Sequence, residues 1–196
     1  MLYMKAETIL NNISRFISLT EEEKKYFTGI LHYKELSKGE VILNYGEIEK
    51  SQYYVIKGCL RNYSTDEQGR EHIIAFAPAD WWISDLYSYI TETPSENMID
   101  ALIPTEVFEI MKWDMEKVFE RIPKFERFFR ILFQNAMVSQ MRRINQGMSD
   151  TAEERYKVFI KRYPGIFQQI PLKHIASYLG ISPEFLSKIR NKIAHT

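Results

Sequence analysis

Between Pro171 and Ile193 the chain carries a pattern that few structures satisfy. Ile175, Leu179, Ile181, Leu186 and Ile189 are spaced as the inward faces of two short helices, with Gly180 between them where the backbone has to turn sharply. Ala176 supplies the small side chain that two steeply crossing helices need where their axes approach. Ser182 is placed to cap the second helix and Pro183 to occupy its first turn. Left on the outside are Ser182, Pro183, Glu184, Ser187, Lys188, Asn191 and Lys192, a polar and basic face able to enter the major groove of DNA. An ordinary helical hairpin shares two or three of these features, not all of them together. The pattern predicts a helix-turn-helix over the C-terminal part of the chain, with double-stranded DNA as its partner.

Charge falls in the same place. Over the 196 residues the formal net charge is zero, yet Ser139 to Thr196 carries ten Lys/Arg against four Asp/Glu, a balance of +6, and the remainder balances at −6. An acidic body joined to a basic end is the distribution expected of a nucleic-acid-binding module on a separate sensing or scaffolding domain. With 45% hydrophobic residues the body can bury a core.

That body reads as β structure. Residues Ala6 to Tyr33 have helical spacing at Ile9, Ile13, Phe16 and Ile17, and Thr20 to Glu23 is a capping-box start. From Leu36 to Met111 the apolar residues come instead in short runs: Val41–Leu43, Tyr53–Ile56, Leu60–Tyr63, His72–Phe76, Met98–Leu102 and Val107–Ile110. Turn signals such as Lys38-Gly39, Tyr45-Gly46, Lys57-Gly58 and Pro78-Ala79-Asp80 separate them. Short strands at this spacing predict an antiparallel barrel or sandwich, and the absence of strand–helix alternation argues against a dinucleotide-binding fold.

Helix follows, from Trp113 to Ile122 and, after Pro123, from Lys124 to about Gly147. The second helix has one apolar row at Phe125, Phe129, Leu132 and Ala136 and another at Phe133, Met137, Met141, Ile144 and Met148. Two rows exceed what one packing partner requires. The first can cover the β domain while Phe133, Met137, Met141 and Ile144 meet a second copy of the chain; a single wide stripe facing one core is the alternative. A further helix is expected from Thr151 to Tyr163, and a short strand over Phe167 to Ile170.

With those segments in view, the chain resembles the CRP/FNR family of bacterial transcription regulators over essentially its whole length. Ile175-Ala176-Ser177-Tyr178-Leu179-Gly180-Ile181-Ser182-Pro183-Glu184 is similar to the family's helix-turn-helix. Lys38-Gly39-Glu40, Tyr45-Gly46, Tyr54 to Gly58 and Pro78-Ala79-Asp80-Trp81 resemble the glycine-punctuated turns of its cyclic-nucleotide-binding-like β roll. The resemblance implies an α+β architecture in three parts: a β-roll domain over 1–123, a long dimerisation helix over 124–147 and a winged helix-turn-helix domain over 148–196. It implies that Pro183, Glu184 and Lys188 hold the base-reading positions, with lysine where family members usually carry arginine. It also implies a homodimer on a palindromic operator, with RNA polymerase and an unidentified small-molecule effector as further candidate partners.

Two departures from the family qualify this. Nucleotide-binding members hold the cyclic phosphate with a Gly-Glu pair and an arginine about ten residues on; Ser84 and Asp85 stand at the first and Pro94, before Ser95, at the second. Proline offers neither charge nor donor to a buried phosphate, so cyclic AMP binding is not expected. The chain as given stops at Thr196, and no wing hairpin is expected after the recognition helix.

Other sites receive little support. Cys59 is the single cysteine, so neither an intrachain disulfide nor a cysteine-ligated iron–sulfur cluster is expected, and beside Gly58 it reads as a small buried residue. His32, His72, His174 and His195 show no metal-ligand spacing, and no catalytic combination stands out. Trp81 and Trp82, with Ser84, Asp85, Pro94 and Ser95, are the candidate lining of a small-molecule pocket; a hydrophobic plug reads equally well. No apolar run is long enough to span a membrane, which makes the cytoplasm the expected location. The alternative function is a ligand-binding β-roll module whose helix-turn-helix does not read DNA.

Overall fold

A computed structural model describes the backbone of residues 2–194 and the side chains of residues 5–193. Two helices open the chain, α1 (Leu2–Ser14) and α2 (Glu21–Thr28), the latter with the expected capping box between Thr20 and Glu23. Eight strands and one short helix follow: β1 (His32–Leu36), β2 (Val41–Leu43), β3 (Ser51–Lys57), β4 (Cys59–Thr65), β5 (Glu71–Pro78), β6 (Trp82–Ile83), α3 (Leu86–Thr91), β7 (Met98–Ala101) and β8 (Thr105–Met111). The remainder is helical: α4 (Lys112–Arg121), α5 (Lys124–Ser149), α6 (Ala152–Arg162), α7 (Leu172–Leu179) and α8 (Pro183–Ala194).

The strands form two antiparallel four-stranded sheets, ordered β1-β8-β3-β6 and β2-β7-β4-β5, folded face to face as a β roll. Period-two alternation sets the layers. In β3, Tyr53 and Val55 enter the space between the sheets with Leu36, Leu60, Ile99 and Val107. Tyr54 and Ile56 point the other way, where α1, α2, α4 and the start of α5 bring Ile9, Ile13, Phe27, Val118, Phe125 and Phe128. Burial on both sides is why this strand reads as an unbroken apolar run. The outer face of the second sheet carries Tyr63, Ile73 and Phe76, and the C-terminal helices close on it through Tyr156, Phe159, Tyr163 and Ile175. The roll is thus packed between two helical layers, and the long helix α5 connects them.

Several boundaries differ from the sequence reading. The first strand begins at His32, inside the stretch read as helix, because His32 to Leu36 pair with β8 from Glu109 to Thr105. The helix α3 was not anticipated; at six residues it is too short to show a period, and Asp85 starts it by accepting from the Tyr87 amide at 3.2 Å. The long helix continues through Gly147 to Ser149. Phe167 to Ile170 is not a strand: Ile166–Gln168 is a 3-10 turn, with the Gln169 and Ile170 amides donating to the Ile166 carbonyl at 2.8 and 3.2 Å. Polar Gln168 and Gln169 break the run before it can pair. His195 and Thr196, and with them the question of a wing, lie outside the described residues.

Candidate nucleic-acid interface

The turn between α7 and α8 is built as its residues require. Gly180 adopts φ of +66°, a left-handed conformation that glycine takes without cost, and the Ile181 amide then donates back to the Ala176 carbonyl at 3.0 Å. The Ser182 hydroxyl accepts from the Phe185 amide at 3.2 Å, capping the helix that Pro183 opens. Ala176 and Leu186 are fully enclosed, and Ile175, Leu179 and Ile189 are buried around them, with Ile181 and Ile193 at the edge. This apolar wedge fixes the angle between the two helices.

The opposite face of α8 is open. Pro183, Glu184, Lys188, Asn191 and Lys192 are exposed, as is Ser182, while Ser187 is half-buried. Glu184 and Lys188 form no ion pair within 4.0 Å among the described residues. Its own backbone amide, and after it the Ser182 hydroxyl, hold the Glu184 carboxyl below its usual range, so it stays ionised near neutral pH. Lys192 is different, because its ammonium pairs with Glu153 on α6 at 2.7 Å. Phe185, 50% exposed, was not singled out from the sequence; lying off the Leu186–Ile189–Ile193 stripe was the available signal.

A set of polar contacts joins this head to the roll, and sequence reading missed it. Arg61 on β4 donates to Asp100 at 2.7 and 2.8 Å, to Glu71 at 2.7 and 3.1 Å, and to the His174 Nδ1 on α7 at 3.0 Å. Ser177 donates to the Glu71 carbonyl at 2.7 Å and accepts from the Ile73 amide at 3.0 Å, so α7 borders β5. A charged residue inside the apolar run Leu60 to Tyr63 was the only hint.

On α5 the two apolar rows have different fates. Phe125 and Phe129 are buried, and Leu132 and Ala136 are half-buried against the roll. Of the second row only Phe133 is half-buried; Met137, Met141, Ile144 and Met148 are 64%, 56%, 58% and 83% exposed.

The comparisons with known proteins bear on these parts together. The cyclic nucleotide-binding domain family model matches residues 33–122, the span of the roll. The fumarate and nitrate reduction regulatory protein of Vibrio cholerae is 25% identical over 186 residues, covering 88% of this chain and 73% of that protein. The transcriptional activator protein anr of Pseudomonas aeruginosa is 26% identical over 186 residues, covering 88% and 75%. FixK2 from Bradyrhizobium japonicum shares the fold with a TM-score of 0.74 at 18% identity over 85% of each chain. Residues 33–122 thus match the cyclic nucleotide-binding domain family, and most of the chain is similar to regulators of the CRP/FNR type. The catabolite activator protein of Thermus thermophilus also shares the fold, with a TM-score of 0.58 at 18% identity, over 91% of this chain and 85% of that one.

In this chain the six residues grouped from sequence as a pocket separate into two places. Trp81 and Trp82 line a cavity of about 330 Å3 enclosed by α1, the roll, α5 and the C-terminal helices. Trp82 is also held structurally, donating to the Asn12 side chain at 3.0 Å and packing on Phe128 and Phe129. Ser84, Asp85, Pro94 and Ser95 do not line it. Ser84 donates to the Ser51 carbonyl at 3.0 Å, Pro94 is exposed, and the buried Asp85 accepts from the Ser95 hydroxyl and from the Asn97 amide at 3.2 Å. The neighbouring Glu49 is buried, and burial raises its carboxyl to about 7. Cys59 is buried, and burial pushes its thiol up to about 12. No group of three metal-ligating side chains is placed to hold an ion among the described residues, and no helix among them is long and apolar enough to cross a membrane.

Proposed function

We propose that the protein is a homodimeric regulator in the cytoplasm whose α8 enters the major groove of a palindromic operator. The observation that carries this reading is the exposed polar face of Glu184, Lys188 and Asn191, on a helix whose other side is locked by Ala176 and Leu186. Glutamate can accept from cytosine N4, lysine can donate to guanine O6 or N7, and asparagine matches adenine N6 and N7. Pro183 and Ser182 set the depth of the helix end, and Ser187 and Lys192 contact the flanking backbone. For Lys192 this requires exchanging Glu153 for a phosphate.

Two recognition helices about 34 Å apart are needed for successive half-sites, which demands a second copy. The exposed stripe of Met137, Met141 and Ile144, continued by Phe133, is the surface that copy covers. We divide the chain accordingly into roll (1–123), dimerisation helix (124–147) and reading head (148–196). Transcriptional output further requires RNA polymerase as a partner.

The same reading assigns no cyclic AMP response and no iron–sulfur cofactor. A cyclic phosphate placed at Asp85 meets carboxyl, hydroxyl and amide groups already bonded to each other, with Pro94 where a cation is needed. The cavity beside Trp81 favours a second reading, a ligand-binding module whose head does not select sequence. Recovery of genomic fragments on the purified protein separates the two. Enrichment of one short palindrome supports the regulator, and random recovery supports the module.

A further inference from the structure

α5 and α6 meet at Asp150, and with the end of α7 they enclose a cleft of about 300 Å3. Five cations line it: Arg142 and Arg143 from α5, and Arg155, Lys161 and Arg162 from α6. No carboxylate does. Among the described residues none of the five forms an ion pair within 4.0 Å. By contrast, Arg61 is neutralised by Asp100 and Glu71, Arg15 by Asp80, and Lys157 by Glu153.

The partners these cations do have are neutral. Arg143 donates to the Ile73 and Tyr178 carbonyls at 2.8 and 3.1 Å and lies 4.2 Å over the Tyr178 ring. Arg155 donates to the Asp150 carbonyl at 2.7 Å, and Arg162 lies over Trp81 at 5.2 Å. The Nε atoms of Arg155 and Arg162 are buried without a hydrogen-bond partner, closed off from the cleft itself. Burial, with the nearby Arg162 charge adding to it, holds the Arg143 guanidinium below its ordinary value. Five converging like charges with no carboxylate among them call for an anion in the cleft.

We propose that this cleft is a binding site for a small phosphorylated metabolite carrying two or more negative charges. Its volume stands at the lower end of the range for ligand pockets, roughly 300–1,000 Å3, and suits a sugar phosphate or a mononucleotide. A DNA duplex is too wide to enter such a cleft. Val158, Phe159 and Leu179 offer apolar wall to the uncharged part of the ligand. Ser139, Arg142 and Gln146 lie on the side of α5 turned away from Met137, Met141 and Ile144, at about 100° per residue, so a second copy on that stripe leaves the cleft open. A ligand held by Arg142 on one helix and Lys161 on the other bridges α5 to α6 and fixes the angle of the head to the long helix. Binding is independent of the regulator reading; the consequence for DNA affinity rests on it.

The test is titration calorimetry of the full chain with inorganic pyrophosphate and with fructose 1,6-bisphosphate, in chloride buffers of matched ionic strength. Arg142 and Lys161 are exposed, so R142Q/K161Q keeps the fold, and K38Q/K57Q on the roll serves as the control. The expected result is saturable binding by the wild type and the control, weakened at least tenfold in R142Q/K161Q. Absence of saturable binding for both probes overturns the site, as does equal binding by R142Q/K161Q. Loss of DNA affinity in R142Q/K161Q with no phosphate binding by the wild type also overturns it, in favour of a DNA-backbone surface. Phosphate binding by a protein that selects no DNA sequence leaves the cleft standing and removes the regulator reading.

Discussion

The Arg61 Nη1 donates to the His174 Nδ1 at 3.0 Å, across 113 positions of sequence and across the boundary between roll and head. Arginine has no acceptor, so Nδ1 must be the bare nitrogen and His174 must be neutral, with its proton on Nε2. Glu71 lies 3.5 Å from the same nitrogen, but it is already committed to Arg61 and pairs with no imidazolium here. Burial and the Arg61 charge lower His174 to about 4, against opposing contributions from Glu71 and Asp100.

A pH dependence follows from that neutral imidazole. Above about 6.5, the unperturbed histidine value, His174 is neutral folded and unfolded and contributes nothing. Between about 6.5 and 4 the unfolded chain binds the extra proton, so stability falls as pH falls through this window. Glu71, held low chiefly by its hydrogen bonds from Arg61, adds a separate loss below its ordinary 4.5. Urea midpoints from pH 7 to 4 should therefore decline, with H174Q declining less between 6.5 and 4.5. Parallel curves for the two proteins contradict the assignment.

Two glycines should respond to alanine with opposite signs. Gly58, at φ of +93°, has its back against the β8 entry, where a Cβ would lie 2.5 Å from the Pro104 carbonyl oxygen and 2.7 Å from the Thr105 Cα. G58A should cost at least ~1–3 kcal/mol from the backbone conformation alone. Gly147 lies within α5 with nothing within 4 Å of the added Cβ, and G147A should stabilise by ~0.4–1 kcal/mol. Denaturant midpoints measure both.

How far these features were legible from sequence depends on their range in the chain. Gly180, Ser182 and Pro183 declare the turn between α7 and α8 because each acts on its own backbone or within three residues. The alternating apolar runs give the strands for the same reason. The Arg61–His174 contact leaves no local trace, since either residue alone reads as an isolated polar position. Trp81 to Asp85 misleads for a geometric reason. Trp82 and Ile83 pair with Tyr54 and Tyr53 and line the cavity with Trp81, and the chain then turns away into α3 at Asp85. One end reaches the cavity against α5, and the other closes on Ser95 and Asn97.

The dimer assignment is checked by charge. M137E/M141E places glutamates on side chains already more than half exposed, so the monomer fold should persist by circular dichroism. Across a two-fold interface the four carboxylates repel, and light scattering at micromolar concentration should report a monomer that no longer binds operator DNA. A dimer that survives assigns the interface to another face.

Cyclic AMP should give no heat in a calorimetric titration. The hydroxyl and amide that would greet a phosphate are held by Asp85, and Pro94 brings no charge. Micromolar affinity would require a cation in this region that the Asp85–Ser95–Asn97 arrangement does not supply.

Reading of DNA by the exposed face of α8 is tested most directly by selecting preferred sites from random duplexes with the wild type, E184A and K192A at two salt concentrations. Lys192 is assigned to the backbone, so K192A should weaken all sequences alike and reduce the salt slope by about one. E184A should keep the wild-type salt slope and lose preference at one position of each half-site, about 1–3 kcal/mol of discrimination. Full retention of the wild-type sequence preference by E184A would contradict the account.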